Sequence, residues 1–139
     1  MRLPAPLLRR NPKSHKGDFG HVFIIASSKG MTGAGVLCAD AAMRAGCGMA
    51  TIGVPETQYR IVARRVREVM TRPLEDTGSG QLSTKAFKQI KELFKKIDVL
   101  VIGPGLSQNK QTQELIRRVI SGFKGRMVID ADGINALRG

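Results

Sequence analysis

A chain of 139 residues with 42% hydrophobic residues is long enough to bury the core of one domain, and no second domain is expected. Aromatic residues make up only 4% of the chain, and the sixteen glycines gather at the ends of apolar runs, a pattern that favours an α/β protein over a β-sandwich. The net charge of +12 allows nucleic acid, an acidic membrane surface or phosphorylated small molecules as partners, and charge alone does not choose among them.

Many of the basic residues, such as Lys85, Lys88 and Lys91, alternate with apolar residues as they do on an ordinary solvated helix face. Aromatic residues are not interleaved with them, and no recognition-helix or zinc-finger pattern is visible, so nucleic acid is not expected as a partner. The opening Met1–Arg10 is basic and partly apolar, but two prolines interrupt it and it is too short for a secretory core. We therefore expect a cytoplasmic protein without a membrane partner.

The first half of the chain predicts a strand-helix-strand unit. His21–Ala26 is a compact apolar run, rich in β-branched residues, which predicts a buried strand followed by the glycine-containing loop Ser27–Gly30. Gly33–Ala45 contains mostly small or apolar residues at helical spacing and predicts a helix packed closely on a sheet. Gly46–Gly48 ends that helix, and Met49–Val54 predicts the second strand.

The middle of the chain gives weaker signals. Glu56–Val66 can form a short helix, Glu68–Thr71 a short extended piece, and Asp76–Gly80 a polar loop. Ser83 is then predicted to be the N-cap of a helix that runs through Lys96.

The last part of the chain continues the alternation. Asp98–Ile102 predicts a third buried strand, and a helix follows from about Lys110 to Ser121. The strand Arg126–Ile129 then leads into Asp130–Gly133. Nearly all-apolar strands that alternate with helices predict a three-layer α/β/α fold with a mainly parallel sheet and helices on both faces.

In such sheets ligands bind beyond the carboxyl ends of the strands. Three predicted loops meet at that edge, namely Ser27–Ala34, Gly103–Ser107 and Asp130–Asn135. They define one candidate site.

The first of these loops leads into a helix, whose free N–H groups and dipole could hold a phosphate. The candidate phosphate-binding residues are Ser28, Gly30, Thr32 and Gly33. The loop lacks the Gly-Lys-Ser/Thr ending of a P-loop and the three-glycine dinucleotide fingerprint, and a tight turn would explain the same residues.

The two other loops also have two interpretations each. Gly103 and Gly105 could let bare backbone approach a ligand, or could simply form a turn. Asp130 and Asp132 flank Ala131 at a strand end, where their carboxylates could bind magnesium or a ribose hydroxyl. Asp132 could instead be a helix N-cap.

The histidines and cysteines offer little chemistry. His15 and His21 lack a sequence-visible partner and are interpreted as non-catalytic. Cys38 and Cys47 lie in small-residue segments without His or Cys at metal-ligand spacing, so they are interpreted as reduced, buried packing residues.

Five ordered segments together resemble the NAD(P)H-hydrate dehydratase family, which shares its fold with ribokinase-like small-molecule kinases. They are His15–Val22, Gly30–Ala34, Ala42–Gly48, Gly103–Leu106 and Asp130–Leu137. Their order and spacing make the combination specific, and the similarity runs from about Asn11 to the end of the chain. The sequence departs from the family in two places, since members often have Gly where Ser27 stands and Ala where Cys47 stands.

The resemblance implies a ribokinase-like fold in which residues 1–139 form a partial domain, incomplete at its C-terminus. The family's Thr-Pro-His loop and its Gly-Thr-Gly-Asp anion hole, with the catalytic aspartate, have no counterpart before Gly139. The implied activity is that of a hydro-lyase, which uses ADP or ATP with Mg²⁺ to dehydrate the S-epimer of hydrated NADH or NADPH. No catalytic residue or metal ligand is therefore assigned here, and the chain alone is expected to be inactive.

The same resemblance assigns the substrate-binding residues. Ala34 and Gly105 would border the hydrated nicotinamide nucleotide, with Asp132 and Asn135 nearby, orienting substrate or magnesium. The implied partners are NAD(P)H-hydrate and an adenine nucleotide. A homo-oligomer is also expected, because a sheet cut across its middle exposes apolar surface.

Two alternative functions remain open at this point. One is a ribokinase-like kinase for a vitamin precursor, since the same fold and anion hole serve both reactions. The other is a non-catalytic nucleotide-binding or assembly module, which would keep the phosphate-side loops without a catalytic segment.

Overall fold

A computed structural model describes residues 10–138 of the chain. The opening segment Met1–Arg10, which is predicted not to be a secretory signal, lies outside the described residues except for Arg10. One sheet of five parallel strands forms the middle of the structure, in the order β3-β2-β1-β4-β5. The strands are β1 (His21–Ile25), β2 (Met49–Pro55), β3 (Met70–Leu74), β4 (Val99–Ile102) and β5 (Arg126–Ile129).

Helices cover both faces of the sheet. They are α1 (Thr32–Arg44), α2 (Tyr59–Ala63), α3 (Ala86–Lys91), α4 (Lys110–Gly122) and α5 (Asp132–Asn135), with 3₁₀ turns at Lys16–Phe19, Glu56–Gln58 and Phe94–Lys96. The predicted three-layer α/β/α fold with a parallel sheet is confirmed. Across residues 10–138, the helices are all too short or too polar to traverse a bilayer.

The sheet separates two apolar cores, and β1 contributes to both. Phe23 and Ile25 are buried in the core that α3 and α4 cover, whereas Ile24 and Ala26 are buried under α1 and α2. Successive strand residues point to opposite faces, so a strand covered on both faces must be apolar at every position. This explains why the sequence of β1 shows a continuous apolar run.

Small residues allow α1 to lie close to the sheet. A Cβ placed on the buried Gly35 would stand 2.7 Å from Cδ1 of Ile52 and would also clash with Oγ of Ser27. Any larger residue at this position would push α1 away from β1 and β2. The position of the first turn of α1 relative to the strand ends therefore depends on Gly35.

The structure corrects the predicted elements in the middle of the chain. The helix predicted to run through Lys96 ends at Lys91, and a separate 3₁₀ turn follows. Ser83 is not a helix N-cap, because its hydroxyl donates to the carbonyl oxygen of Glu75 at 3.4 Å and so joins the two ends of the loop after β3. The extended piece predicted at Glu68–Thr71 is instead the strand β3, which begins at Met70, because its residues pair in parallel register with the last five residues of β2.

The cysteines are less buried than the sequence predicts. Cys38 and Cys47 are both free thiols and both partly exposed. Burial raises the pKa of the Cys38 thiol, and the charge of Asp130 raises it further. Burial also raises the pKa of Cys47, although its own backbone and the charge of Arg10 oppose that shift.

Candidate functional site

The loops at the carboxyl edge of the sheet are joined to one another by hydrogen bonds. The N–H of Ser27, after β1, donates to the carbonyl oxygen of Pro104, after β4, at 3.0 Å. The N–H of Lys29 donates to the carbonyl oxygen of Gly80 at 2.8 Å, which adds the loop after β3. These bonds join the loops after β1, β3 and β4 into one surface.

Ala34 and Gly105 lie in direct contact at this edge. A Cβ placed on Gly105 would be 2.9 Å from Cβ of Ala34 and 2.9 Å from the carbonyl oxygen of Met31. Gly105 also has a φ of +66°, which side chains disfavour. The loop after β4 therefore lies against the first turn of α1, and a side chain at position 105 would force the two apart.

Gly103 brings the third loop to the same place. Its φ is +131°, and a Cβ there would collide with the carbonyl oxygen of Asp130 and stand 2.6 Å from the nitrogen of Gly133. The loops that follow β4 and β5 thus share one close backbone contact, which no larger residue could make.

Two serines at the end of β1 have unusual environments. Ser27 is fully buried with a φ of +74°, and its hydroxyl donates to the carbonyl oxygen of Thr32 at 3.0 Å. A positive φ is the conformation that glycine adopts without strain, which is a physical reason for glycine to be common at this position. The hydroxyl of Ser28 is also fully buried but has no hydrogen-bond partner among the described residues.

The same loop also contains free backbone donors. The backbone N–H groups of Thr32 and Gly33, at the start of α1, make no hydrogen bond to any other described residue. A buried hydroxyl without a partner costs roughly 1–3 kcal/mol, so such a group needs an explanation. Free N–H groups at the start of a helix attract anions. Of the other candidates in this loop, Gly30 is exposed with a φ of +84°.

Asp132 and Asn135 are brought together, but Asp130 is not part of their cluster. The carboxylate of Asp132 accepts a hydrogen bond from the backbone N–H of Ser107 at 2.8 Å and another from the side-chain amide of Asn135 at 3.2 Å. Asp130 is exposed and its side chain makes no such bond. The interpretation of Asp132 as a helix N-cap is wrong, because Ala131 precedes α5 and no side chain caps it.

The described residues provide no cluster of metal ligands. Within residues 10–138, no group of three or more His, Cys, Asp or Glu side chains is arranged to hold a metal ion. The two histidines lie away from the carboxyl edge. His15 is exposed beside Asp18, and His21, at the start of β1, is held between the carbonyl oxygen of Lys96 and the hydroxyl of Thr51.

The structure adds residues that the sequence did not single out. The loop after β3 is held by Asp76, whose carboxylate accepts hydrogen bonds from the N–H and hydroxyl of Thr57 and from the N–H of Gly78. Burial alone would raise the pKa of Asp76, but these hydrogen bonds hold it below its ordinary value. The sequence predicted Asp76–Gly80 as a polar loop, and its place after a strand of a parallel sheet is the signal that could have assigned it to the site.

A groove also opens between α1 and α2, beside the candidate phosphate-binding residues. Its volume is about 410 Å³, and it is lined by Thr32, Gly33, Val36, Leu37, Ile61 and Arg65. Sequence patterns do not predict this groove, because the residues of its two walls lie more than twenty positions apart.

The chain is also similar in sequence to proteins of a known family. A family model described as NAD(P)H-hydrate dehydratase matches residues 22–139. The bifunctional NAD(P)H-hydrate repair enzyme of Moorella thermoacetica is 40% identical over 133 residues, which are 96% of this chain and 25% of that enzyme. The ADP-dependent (S)-NAD(P)H-hydrate dehydratase of Streptococcus pneumoniae is 28% identical over 131 residues, which are 94% of this chain and 42% of that protein.

A solved structure gives the same fold. The ADP/ATP-dependent NAD(P)H-hydrate dehydratase from Bacillus subtilis, co-crystallised with ATP/Mg²⁺, superposes with a TM-score of 0.69 at 26% identity. The match covers 90% of this chain and 42% of that one. The chain thus spans about a quarter of the bifunctional relative and less than half of the single-function proteins.

Proposed function

The chain belongs to the NAD(P)H-hydrate dehydratase family, and from this premise we propose that it forms the substrate-binding side of an enzyme that dehydrates (S)-NAD(P)H-hydrate to NAD(P)H at the expense of ADP or ATP. In that reaction the hydroxyl of the hydrate takes a phosphoryl group from the nucleotide. Phosphate then departs, the neighbouring ring carbon loses a proton, and the double bond of the ring returns. In this reaction, the proposed role of this chain is to hold and orient the hydrate.

The observation that carries the proposal is the contact between Ala34 and Gly105. Both residues lack a bulky side chain where the loop after β4 meets the first turn of α1. The flat face of a nicotinamide ring could therefore lie directly on backbone at this point, which a larger residue would prevent.

The neighbouring polar groups support the same assignment. We propose that the free N–H groups of Thr32 and Gly33, with the buried hydroxyl of Ser28, bind a phosphate of the substrate. Asp132 and Asn135 would orient the ribose or the amide of the substrate from the opposite side. The carboxylate of Asp132 already accepts hydrogen bonds from the N–H of Ser107 and the side-chain amide of Asn135. This carboxylate is therefore suited to positioning the substrate rather than to removing a proton from it.

The nucleotide and its magnesium are assigned to no residue of this chain. Mg²⁺ is usually held by one or two carboxylates together with phosphate oxygens. The described residues contain no group of three or more His, Cys, Asp or Glu side chains that could hold a metal ion, and Asp130, at the end of β5, is exposed. We propose that the base, the nucleotide site and the stabilisation of the transferred phosphoryl group lie in parts of the domain outside these 139 residues.

The proposal is tested by joining this chain to the remainder of the dehydratase domain of the Moorella thermoacetica enzyme. We expect the chimera, mixed with (S)-NADH-hydrate, Mg²⁺ and ADP or ATP, to restore the absorbance of the reduced nicotinamide. We expect the 139-residue chain alone to restore none. Recovery by the chain alone would contradict the assignment of the base to other residues.

Substitutions in the same chimera test the role of the site. Gly105→Val places a branched side chain against Ala34, and we expect it to abolish turnover while the circular dichroism spectrum is retained. Gly78→Val is the matched control: it places the same side chain at another glycine of positive φ, but one with no heavy atom within 4 Å of its Cβ position, so turnover should persist. Equal turnover by both variants would remove the support for a substrate site at Gly105. A phosphorylated alcohol instead of reduced nicotinamide as product would favour the kinase alternative.

We also propose that the chain self-associates, and that it acts in the cytoplasm because its proposed substrate is an intracellular cofactor. The outer edge of β5 pairs with no strand in residues 10–138, and Val128 is 53% exposed there. Ile134 and Leu137 are also large apolar side chains that are about half exposed. Sedimentation should show an oligomer for the unchanged chain. The Val128→Lys variant should form less of it, because the lysine places a charge at the strand edge. A monomer for both would contradict the proposal.

A further inference from the structure

We propose that the groove between α1 and α2 binds the adenosine half of the hydrated dinucleotide, and that Arg65 favours the form that carries a 2′-phosphate. This inference rests on the proposed function, because it places the second half of the same substrate. The volume of about 410 Å³ lies within the roughly 300–1,000 Å³ of small-molecule sites.

The groove is continuous with the candidate site through the first turn of α1. Thr32 and Gly33 line the groove and also provide the free N–H groups at the start of α1. Ala34, on one flank of the helix, touches the loop after β4, whereas Val36 lies on the other flank, because residues two apart are about 200° apart around a helix.

The parts of a dinucleotide follow one another in the same order as these regions of the surface. Its pyrophosphate joins two nucleosides, so a nicotinamide at Ala34 would place the pyrophosphate over the first turn of α1. No heavy atom lies within 4 Å of the Cβ position of Gly33, which leaves that turn open to a ligand. The second nucleoside would then reach the groove on the far side.

The walls of the groove suit a purine ring. Leu37 is 72% exposed and Ile61 is 51% exposed, although both are large apolar side chains. They stand on two different helices and line the same groove. An aromatic base inserted between them would bury apolar surface that is otherwise in contact with water.

The charges around the groove favour a small anion over another copy of the chain. Arg65 lines the groove and makes no ion pair within residues 10–138, and Arg60 and Arg64 are exposed nearby on or beside α2. A guanidinium binds phosphate through two parallel hydrogen bonds. Two copies meeting through this surface would instead bring these arginines together across a two-fold axis, which is electrostatically unfavourable.

The test measures binding of three reduced nucleotides to the 139-residue chain by amide chemical shifts. NADPH and NADH probe the dinucleotide, and reduced nicotinamide mononucleotide probes the nicotinamide half alone. The variants are Arg65→Ala and Ile61→Glu. The control Arg67→Ala removes the same charge two residues further on, from a side chain that does not line the groove.

We expect Arg65→Ala to weaken NADPH binding by about tenfold and NADH binding by less than about twofold, since one charge-assisted phosphate contact is lost. Arg67→Ala should change both by less than about twofold, because only long-range charge is lost. Ile61→Glu should weaken both dinucleotides and leave the mononucleotide unchanged.

The outcomes separate this inference from the proposed function. Equal effects of Arg65→Ala and Arg67→Ala, or a mononucleotide that Ile61→Glu weakens as much as the dinucleotides, would overturn the groove assignment and leave the nicotinamide site standing. A chain that binds none of the three nucleotides would overturn the proposed substrate site and the groove with it. Dissociation of an oligomer by Ile61→Glu, with unchanged nucleotide binding, would show that the groove is an interface between copies.

Discussion

The backbone N–H of Ser107 donates a 2.8 Å hydrogen bond to Oδ2 of Asp132, so one carboxylate fixes the loop after β4 to the last helix. The same carboxylate accepts a hydrogen bond from the side chain of Asn135 through its other oxygen. Because Gly105 lies two residues before Ser107, this carboxylate also sets the position of the loop against Ala34.

Replacing Asp132 should therefore weaken the fold as well as the site. We expect Asp132→Ala to lower the free energy of unfolding by about 1–3 kcal/mol, since two hydrogen bonds to a charged group are lost. Asp130→Ala is the matched control, because that carboxylate is exposed and makes no side-chain hydrogen bond in the described part of the chain, so its effect should stay within about 0.5 kcal/mol. Urea denaturation measures both, and equal losses would contradict the role given to Asp132.

Gly103→Ala should be among the most destabilising single substitutions. The new Cβ would collide with the backbone of Asp130 and Gly133, and the φ of +131° would be strained in addition. We expect a loss of at least about 3 kcal/mol, or a chain that does not fold. Gly78→Ala also places a side chain at a positive φ, of +80°, but in open space, so it should cost only about 1–2 kcal/mol. Thermal unfolding of the two variants compares them, and a Gly103→Ala variant as stable as Gly78→Ala would contradict the steric argument.

The stability of the loop after β3 should depend on pH through Asp76. In this loop the carbonyl oxygen of Gly80 accepts a hydrogen bond from the N–H of Lys29. Hydrogen bonds from Thr57 and Gly78 hold the pKa of Asp76 below its ordinary value of 3.8, so its stabilising contribution is present above that value and is lost as the pH falls through the lowered one. Asp76→Asn should reduce this acid dependence and should speed amide exchange at Thr57 at neutral pH. Circular dichroism and hydrogen exchange between pH 7 and pH 2.5 measure the two effects. An identical acid profile for both chains would exclude Asp76 as the source.

The alkylation rate of Cys38 should depend on the charge of Asp130, which follows β5. Burial raises the pKa of this thiol, and the charge of Asp130 raises it further, so alkylation at pH 8 should be slower than for a free thiol. Asp130→Asn removes the second cause, lowers the pKa of Cys38 and should speed its alkylation. Cys47 serves as the internal control, because its raised pKa has other causes and its rate should not change. Mass spectrometry of the alkylated peptides separates the two sites.

Sequence patterns were sufficient for most of the fold because the decisive signals are local. The continuous apolar run of β1 and the small residues of α1 predicted a covered parallel sheet, and both faces are covered in the structure. The middle of the chain was predicted less well. The strand there is set by pairing with β2, and Ser83 bonds to Glu75, so tertiary contacts rather than local preference decide those elements.

For the candidate site, the sequence by itself determined which glycines and acidic residues follow the strands, and hence which loops could meet at the carboxyl edge. Only the tertiary structure decided that Gly105 touches Ala34, that Asp132 binds Ser107 while Asp130 faces solvent, and that α1 and α2 enclose a groove. The physical reason is the distance along the sequence over which each kind of interaction acts. Conformational preference and periodicity act between near neighbours in sequence, whereas these contacts join residues up to 71 positions apart, as at Gly105 and Ala34, and exist only once the sheet has brought its strands together.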